Sequence, residues 1–392
     1  MRADNLAALA TRGRWAIAAV FFVNGFLIGS WAPQIPVFLT RLGISEFTLG
    51  LLILLFGAGA ISAMVLAGHL IARHGSKFVT SLFAITGSFG LLVVALAPNV
   101  PVAAIAMFLF GGMLGAMDVA MNANAVTVEK KLGRAMMSSS HGFWSLGGFV
   151  GGGLGGIAIQ TFGHLAHAAL VTVAALALVA CAWRHVMADA PVPQEHRKFS
   201  LPRSPAVYLL GLMALLCMNS EGAVLDWGAL YLRQELGADI ATAGFAYAAF
   251  AGTMAAMRFL GDGVRNRFGA VSTFRISAII AAAGMLVAGM ATSSWLVIAA
   301  FAVSGLGIAN MVPILFSAAG NQPGISSAAG LSVVTTMGYS GILAAPSLIG
   351  FVGERTGFSP VFIAVALLLL FVFLMAGLAR TADFSASGPD QA

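Results

Sequence analysis

Apolar residues in this chain run in long unbroken blocks, with no strand-like alternation and no narrow helical stripe. Twelve blocks can be marked, at 15–39, 47–71, 78–97, 102–127, 138–161, 166–187, 205–232, 241–262, 273–292, 295–318, 326–352 and 360–380. Each approaches or exceeds the roughly 20 apolar residues that an α-helix needs to cross a bilayer core. Charged and turn-forming residues separate them: Arg41 to Glu46, Arg73 to Lys77, the Pro98-Asn99-Val100-Pro101 turn, Glu129 to Arg134, and Gly263 to Gly269. The pattern predicts an all-α integral membrane fold of 12 transmembrane helices. Met1–Arg14 leads into an apolar stretch longer than the 7–15 residues of a signal-peptide core, so the first block reads as an uncleaved crossing.

Composition narrows the class. Only 9% of the 392 residues are charged and 59% are apolar, too little polar surface to cover a water-soluble globule or to keep a chain disordered. Charge then orients the spans, because Lys and Arg gather in cytoplasmic loops. With both termini cytoplasmic, 17 of the 20 basic residues fall on the inner side, and Arg41, Arg233 and Arg355 face outward. The +6 net charge is thus a topology signal. Its scatter over many loops does not form the basic stripe of a nucleic-acid binder.

The longest polar stretch, 188–204, carries Pro191, Pro193, Pro202 and several charges and divides the chain into six spans and six spans. Similar segments recur across it, as transporter repeats do. Thr48 stands before Gly75 as Thr242 stands before Gly269, Leu114–Asp118 matches Leu306–Asn310, Trp31 matches Trp227 and Ser145 matches Ser340. The reading is an N-terminal six-helix bundle at 1–187, a cytoplasmic linker at 188–204, a C-terminal bundle at 205–380 and a tail at 381–392.

Gly68-His69-Leu70-Ile71-Ala72-Arg73-His74-Gly75-Ser76-Lys77, between spans 2 and 3, resembles the loop signature of the major facilitator superfamily, with Ala72 where the signature has Asp. Arg258, Asp262, Arg265, Arg267 and Gly269 stand near the equivalent loop of the second half. Asp118 to Asn124, His141 to Ser145, Glu221-Gly222 and Asp226-Trp227 resemble the bacterial inner-membrane branch near the fucose permeases. The resemblance implies two pseudo-symmetric bundles, secondary transport by alternating access, and a sugar-like solute.

Few ionisable residues fall within the spans, and such residues are expected to face a cavity or a partner because hydrocarbon penalises them by at least about 2.5 kcal/mol. Glu221, central in span 7, and Asp118, in the inner part of span 4, are the candidates for proton coupling. Loss of water in general shifts carboxyl groups toward the range where they exchange protons near neutral pH. Asn24, Asn122, Asn219, Asp226, Asn310 and Trp144 are candidates for solute binding. His141 is a candidate proton relay. Arg258 and Asp262, spaced i,i+4, are expected to pair and, with Arg73 and Lys77, to form a cytoplasmic gate.

The Gly151 to Gly156 run contains a formal G-x-G-x-x-G, yet no strand precedes it and no acid follows at the required distance, so it reads as a close helix-packing surface. No Walker loop, H-E-x-x-H or paired Cys/His spacing occurs. The expectation is therefore a non-enzyme without cofactor, working as a monomer in the lipid bilayer, with a small-molecule substrate and protons as its partners. Two alternatives stand beside solute uptake. One is proton-driven export of a metabolite or drug. The other is a receptor or scaffold that no longer transports, for which Ala72 is the argument.

Overall fold

The computed structural model describes residues 3–133, 136–189, 202 and 204–383. Arg2, Arg134, Arg197, Lys198, Arg203, most of the linker and the tail beyond Asp383 lie outside the described residues, as does the side chain of Asp262. Among the described residues all regular structure is helical. Within these residues, eleven helical stretches are long and apolar enough to cross a membrane. A bent pair, Ser359–Leu374 followed by the tight turn Ala376–Ala382 at 57°, makes the twelfth span.

The spans run as follows. Span 1 comprises Ala3–Trp31 and Ile35–Leu42, span 2 Glu46–His74, span 3 Ser76–Ser88 with Gly90–Leu96, and span 4 Val100–Leu132. Spans 5 and 6 are Met137–Phe162 and His164–Ala182, and span 7 is Pro205–Gln234. Spans 8 and 9 are Ile240–Phe268 and Ala270–Met290, span 10 is Ser294–Ile308 with Met311–Gly320, and span 11 is Ser327–Thr356. Two breaks have a local cause. Pro33 and Pro36 lack the N–H that would continue span 1, and Pro313 does the same just past Asn310 in span 10.

The repeat seen in the sequence is a repeat of helix boundaries. Ser45 accepts the N–H of Thr48 at 3.3 Å to start span 2, and Asp239 accepts that of Thr242 at 2.7 Å to start span 8. That backbone N–H holds the exposed Asp239 carboxyl below its ordinary pKa. Both spans end at a glycine in left-handed backbone, Gly75 at φ +80° and Gly269 at φ +77°, where a Cβ would be strained.

The next helix start is capped from far along the chain. Asp189, just beyond span 6, accepts the Ser76 N–H at 2.9 and 3.1 Å, and Asp383, just beyond span 12, accepts the Ala270 N–H at 2.5 Å. Each acid follows its own glycine by the same interval. Neighbouring contacts hold the same edge: Asn124 donates to Met187 O at 2.8 Å, and Gln322 donates to the Thr381 hydroxyl at 2.8 Å. These features mark the face where span 1 begins and span 12 ends, called the terminal face below.

The two halves meet along two seams. On the far side, span 2 meets span 11: Phe47 packs on Phe351 with ring centroids 5.9 Å apart, Ser347 donates to Gly50 O at 3.3 Å, and the Phe47 N–H reaches Glu354. Span 5 meets span 8 through the glycine run. Gly151 lies against Phe26 O of span 1, whereas Gly156 and Gly244 of span 8 meet too closely for a side chain on either, and Gly152 packs tightly on Gly244 and Ala248. The run therefore brings helix backbones together, as its context implied.

Candidate solute and proton site

At mid-depth one charge pair joins helices of the second half, and it touches the first. Arg258 of span 8 lies 3.8 Å from the Glu221 carboxylate of span 7, the one ion pair found among the described residues. Its guanidinium donates to the Ser145 hydroxyl of span 5 at 2.5 Å and sits 5.9 Å from the Trp144 ring centre. Both partners are largely buried, with side chains 14% and 19% exposed. This gives Arg258 a central partner that helical spacing alone did not name. An exposed i,i+4 pair contributes only about 0.3–0.5 kcal/mol, whereas an unpaired charge at Glu221's depth costs several. Whether Asp262 faces Arg258 lies outside the described residues.

Trp144 is fixed from behind. Its indole N–H donates to Asn24 Oδ1 at 2.8 Å, and the Asn24 amide donates to Leu114 O at 3.2 Å, so one amide ties spans 1, 4 and 5. Asn24 is only 3% exposed and engaged at both ends, which makes it a positioning residue for Trp144. Asn122 serves Asp118 in the same way, donating to its backbone carbonyl at 2.9 Å and its carboxylate at 3.2 Å. His141 packs edge-on against Phe21 at 5.2 Å, within the field of Arg258.

On the second half the polar groups stand open. Tyr247 of span 8 is buried with its hydroxyl unpartnered, within electrostatic reach of Glu221, Arg258 and Asp226. Tyr339 of span 11 is within reach of Asp118 and Glu221, so the two acids address one region from opposite halves. Asn219, Asp226 and Trp227 line a cavity of about 30 Å³ between spans 7 and 11, closed by Ala345, Pro346 and Ile349. Asn219 Oδ1 and the Trp227 indole N–H have no partner there. A second cavity of similar size lies between Ser138, Arg258, Gly261, Arg265 and Asn310, and the Asn310 amide nitrogen is unpartnered.

Arg73 is exposed and Lys77 half-buried at the terminal face, away from this centre. Lys77 takes part in the loop through its backbone N–H, 3.4 Å from Asp189. That carboxylate stands at the loop where Ala72 replaces the signature acid. Sequence reading missed Ser145 as an Arg258 partner, Tyr247, Tyr339 and the Asp189 and Asp383 caps. The equal spacing of Gly75 to Asp189 and Gly269 to Asp383 was a signal available in the sequence. The tyrosines offered none beyond their rarity.

Comparison with known proteins accords with this architecture. The family model described as Major Facilitator Superfamily matches residues 17–227 and 209–391. A protein of Yersinia pestis named an uncharacterized MFS-type transporter is 36% identical over 353 residues, covering 90% of this chain and 92% of that protein. The membrane protein MosC of Rhizobium meliloti is 32% identical over 348 residues, covering 87% of this chain and 84% of its own. In fold, the crystal structure of the nucleoside transporter NupG superposes with a TM-score of 0.71 at 13% identity, covering 93% of this chain and 98% of that one. The twelve spans, the repeated boundaries and the polar centre are those of a transporter, and the chain belongs to the Major Facilitator Superfamily.

Proposed function

We propose that the protein is a proton-coupled secondary transporter of a small polar organic solute, working by alternating access between its two halves. The observation that carries the reading is the Arg258–Glu221 pair at mid-depth, bonded across to Ser145. Protonating Glu221 removes the charge that Arg258 faces, so proton occupancy changes a contact that spans both halves. Asp118, held by Asn122 and near Tyr339 of the other half, offers a second carboxyl with the same property. A sugar-like solute is the expectation that the branch resemblance adds.

The basic residues favour an inner bacterial membrane with the terminal face toward the cytoplasm. The span 2 and span 11 contacts near Glu46, Phe47 and Gly350 then close the outer side, as in an inward-facing state. The Asp189 carboxylate, which accepts backbone N–H groups at the span 3 start, puts an acid at the loop where Ala72 stands and so supports transport over the scaffold reading.

Purified protein in liposomes with an internal pH dye tests this. Addition of a transported solute should move protons in the wild type, and Glu221→Gln should abolish that movement while retaining the fold. Solute uptake without proton movement in the wild type would refute the coupling.

A further inference from the structure

Among the described residues, three acidic side chains lie within the spans near Arg258: Asp118, Glu221 and Asp226. Arg258 pairs with Glu221. Among the described residues neither Asp118 nor Asp226 forms an ion pair. Asp226 is the more exacting case. It is only 8% exposed, no hydrogen bond to it is found among the described residues, and it lines the cavity between spans 7 and 11. A buried carboxylate without a donor is costly, so the arrangement is suited to a partner that arrives from outside the chain.

The cavity indicates what that partner brings. About 30 Å³ holds one group of roughly water size, not a whole organic solute. Asn219 Oδ1, on the same wall, is a second acceptor without a donor. Trp227 contributes an indole N–H but keeps its ring stacked on Phe358 at 5.3 Å. Tyr247, its hydroxyl also unpartnered, is within electrostatic reach of both Asp226 and Glu221 but lies outside the lining of this cavity. An ammonium group matches this set: small, positively charged and a donor of hydrogen bonds, with three protons to give.

We propose that the solute is a small organic cation whose ammonium group is received by Asp226 in the cavity between spans 7 and 11. The inference rests on the transporter reading above and names the substrate class for that same centre.

Isosteric pairs test it. Binding of glucosamine against glucose, and of ethanolamine against ethylene glycol, is measured by thermal shift and calorimetry on the purified protein, with gluconate as the anionic control. The amine of at least one pair is expected to bind on the order of 10-fold or more tighter than its neutral isostere. Asp226→Asn should remove that preference, and Asp226→Glu, which keeps the charge, should retain it. Equal binding of amine and neutral partner, preference for gluconate, or no binding by any probe overturns the proposal on the wild type alone, whatever the variants' folding. A preference that survives in a folded Asp226→Asn protein also overturns it. Proton movement driven equally by glucose and glucosamine would leave the coupled transporter standing while removing the cation. Asp226-dependent amine binding without proton movement would do the reverse.

Discussion

Around the site, the polar groups of the first half are bonded to one another and those of the second half stand open, although buried atoms without a partner also occur elsewhere in the first half, at Ser30, Thr80 and Asn124. Asn24, Trp144, Asp118 and Asn122 are bound to one another or to backbone within spans 1, 4 and 5. Asn219, Trp227, Tyr247 and Asn310 each carry a buried atom with no partner in spans 7, 8 and 10. A satisfied network holds one geometry, whereas an open one gains most from a ligand. The difference suggests a division of labour between a pre-formed wall and a responsive one, joined by Arg258.

The largest effect expected is at that joint. Arg258→Gln leaves Glu221 buried and unpaired, at a cost of about 3–5 kcal/mol in stability together with loss of transport. Adding Glu221→Gln should restore much of the melting temperature but not transport. Recovery of both would show that the pair serves stability alone.

Asn24→Ala comes next. It strips the Trp144 indole and the Leu114 carbonyl of their partner, and it should cost about 1–3 kcal/mol by denaturation. Asn219→Ala, its counterpart in the open wall, breaks no hydrogen bond found in the structure and should change stability little while weakening solute binding. If the two variants lose stability equally, the division between the halves fails.

Asp189→Ala and Asp383→Ala should each cost about 0.5–2 kcal/mol and raise amide exchange in the first turns of spans 3 and 9 alike. Unequal protection would show that one half does not use its cap. The smallest effect separates the starts of spans 2 and 8. Asp239 has a lowered pKa, so its contribution is full above the unfolded value of about 3.9 and fades as pH falls through the folded one. Acid should loosen the start of span 8 and leave the start of span 2, capped by Ser45, unaffected. Exchange measured at neutral and acid pH checks this.

Much of the architecture could be read from the sequence because a membrane imposes few, strong rules. Long apolar blocks demanded helices, and the recurrence of Thr48 and Gly75 as Thr242 and Gly269 marked the boundaries of equivalent spans. The candidate site was legible in part. Charge scarcity singled out Glu221 and Asp118 because a lone acid in an apolar run stands out in one dimension. It did not name Glu221 as the Arg258 partner, because helical spacing names the neighbours within a helix and says nothing of a carboxylate on the adjoining one. Asn24 and Asn219 look alike in sequence. Only packing shows that one amide is engaged at both ends and the other is not.

The caps at Asp189 and Asp383 bear on how the chain can be divided. Each half carries its own fastening, formed by the first residues of the linker and of the tail, so neither depends on the covalent connection between them. A chain cut within 190–203 keeps both sets of hydrogen bonds. The halves should then be expressible as two separate polypeptides that assemble in the membrane, provided the second piece extends through Asp383.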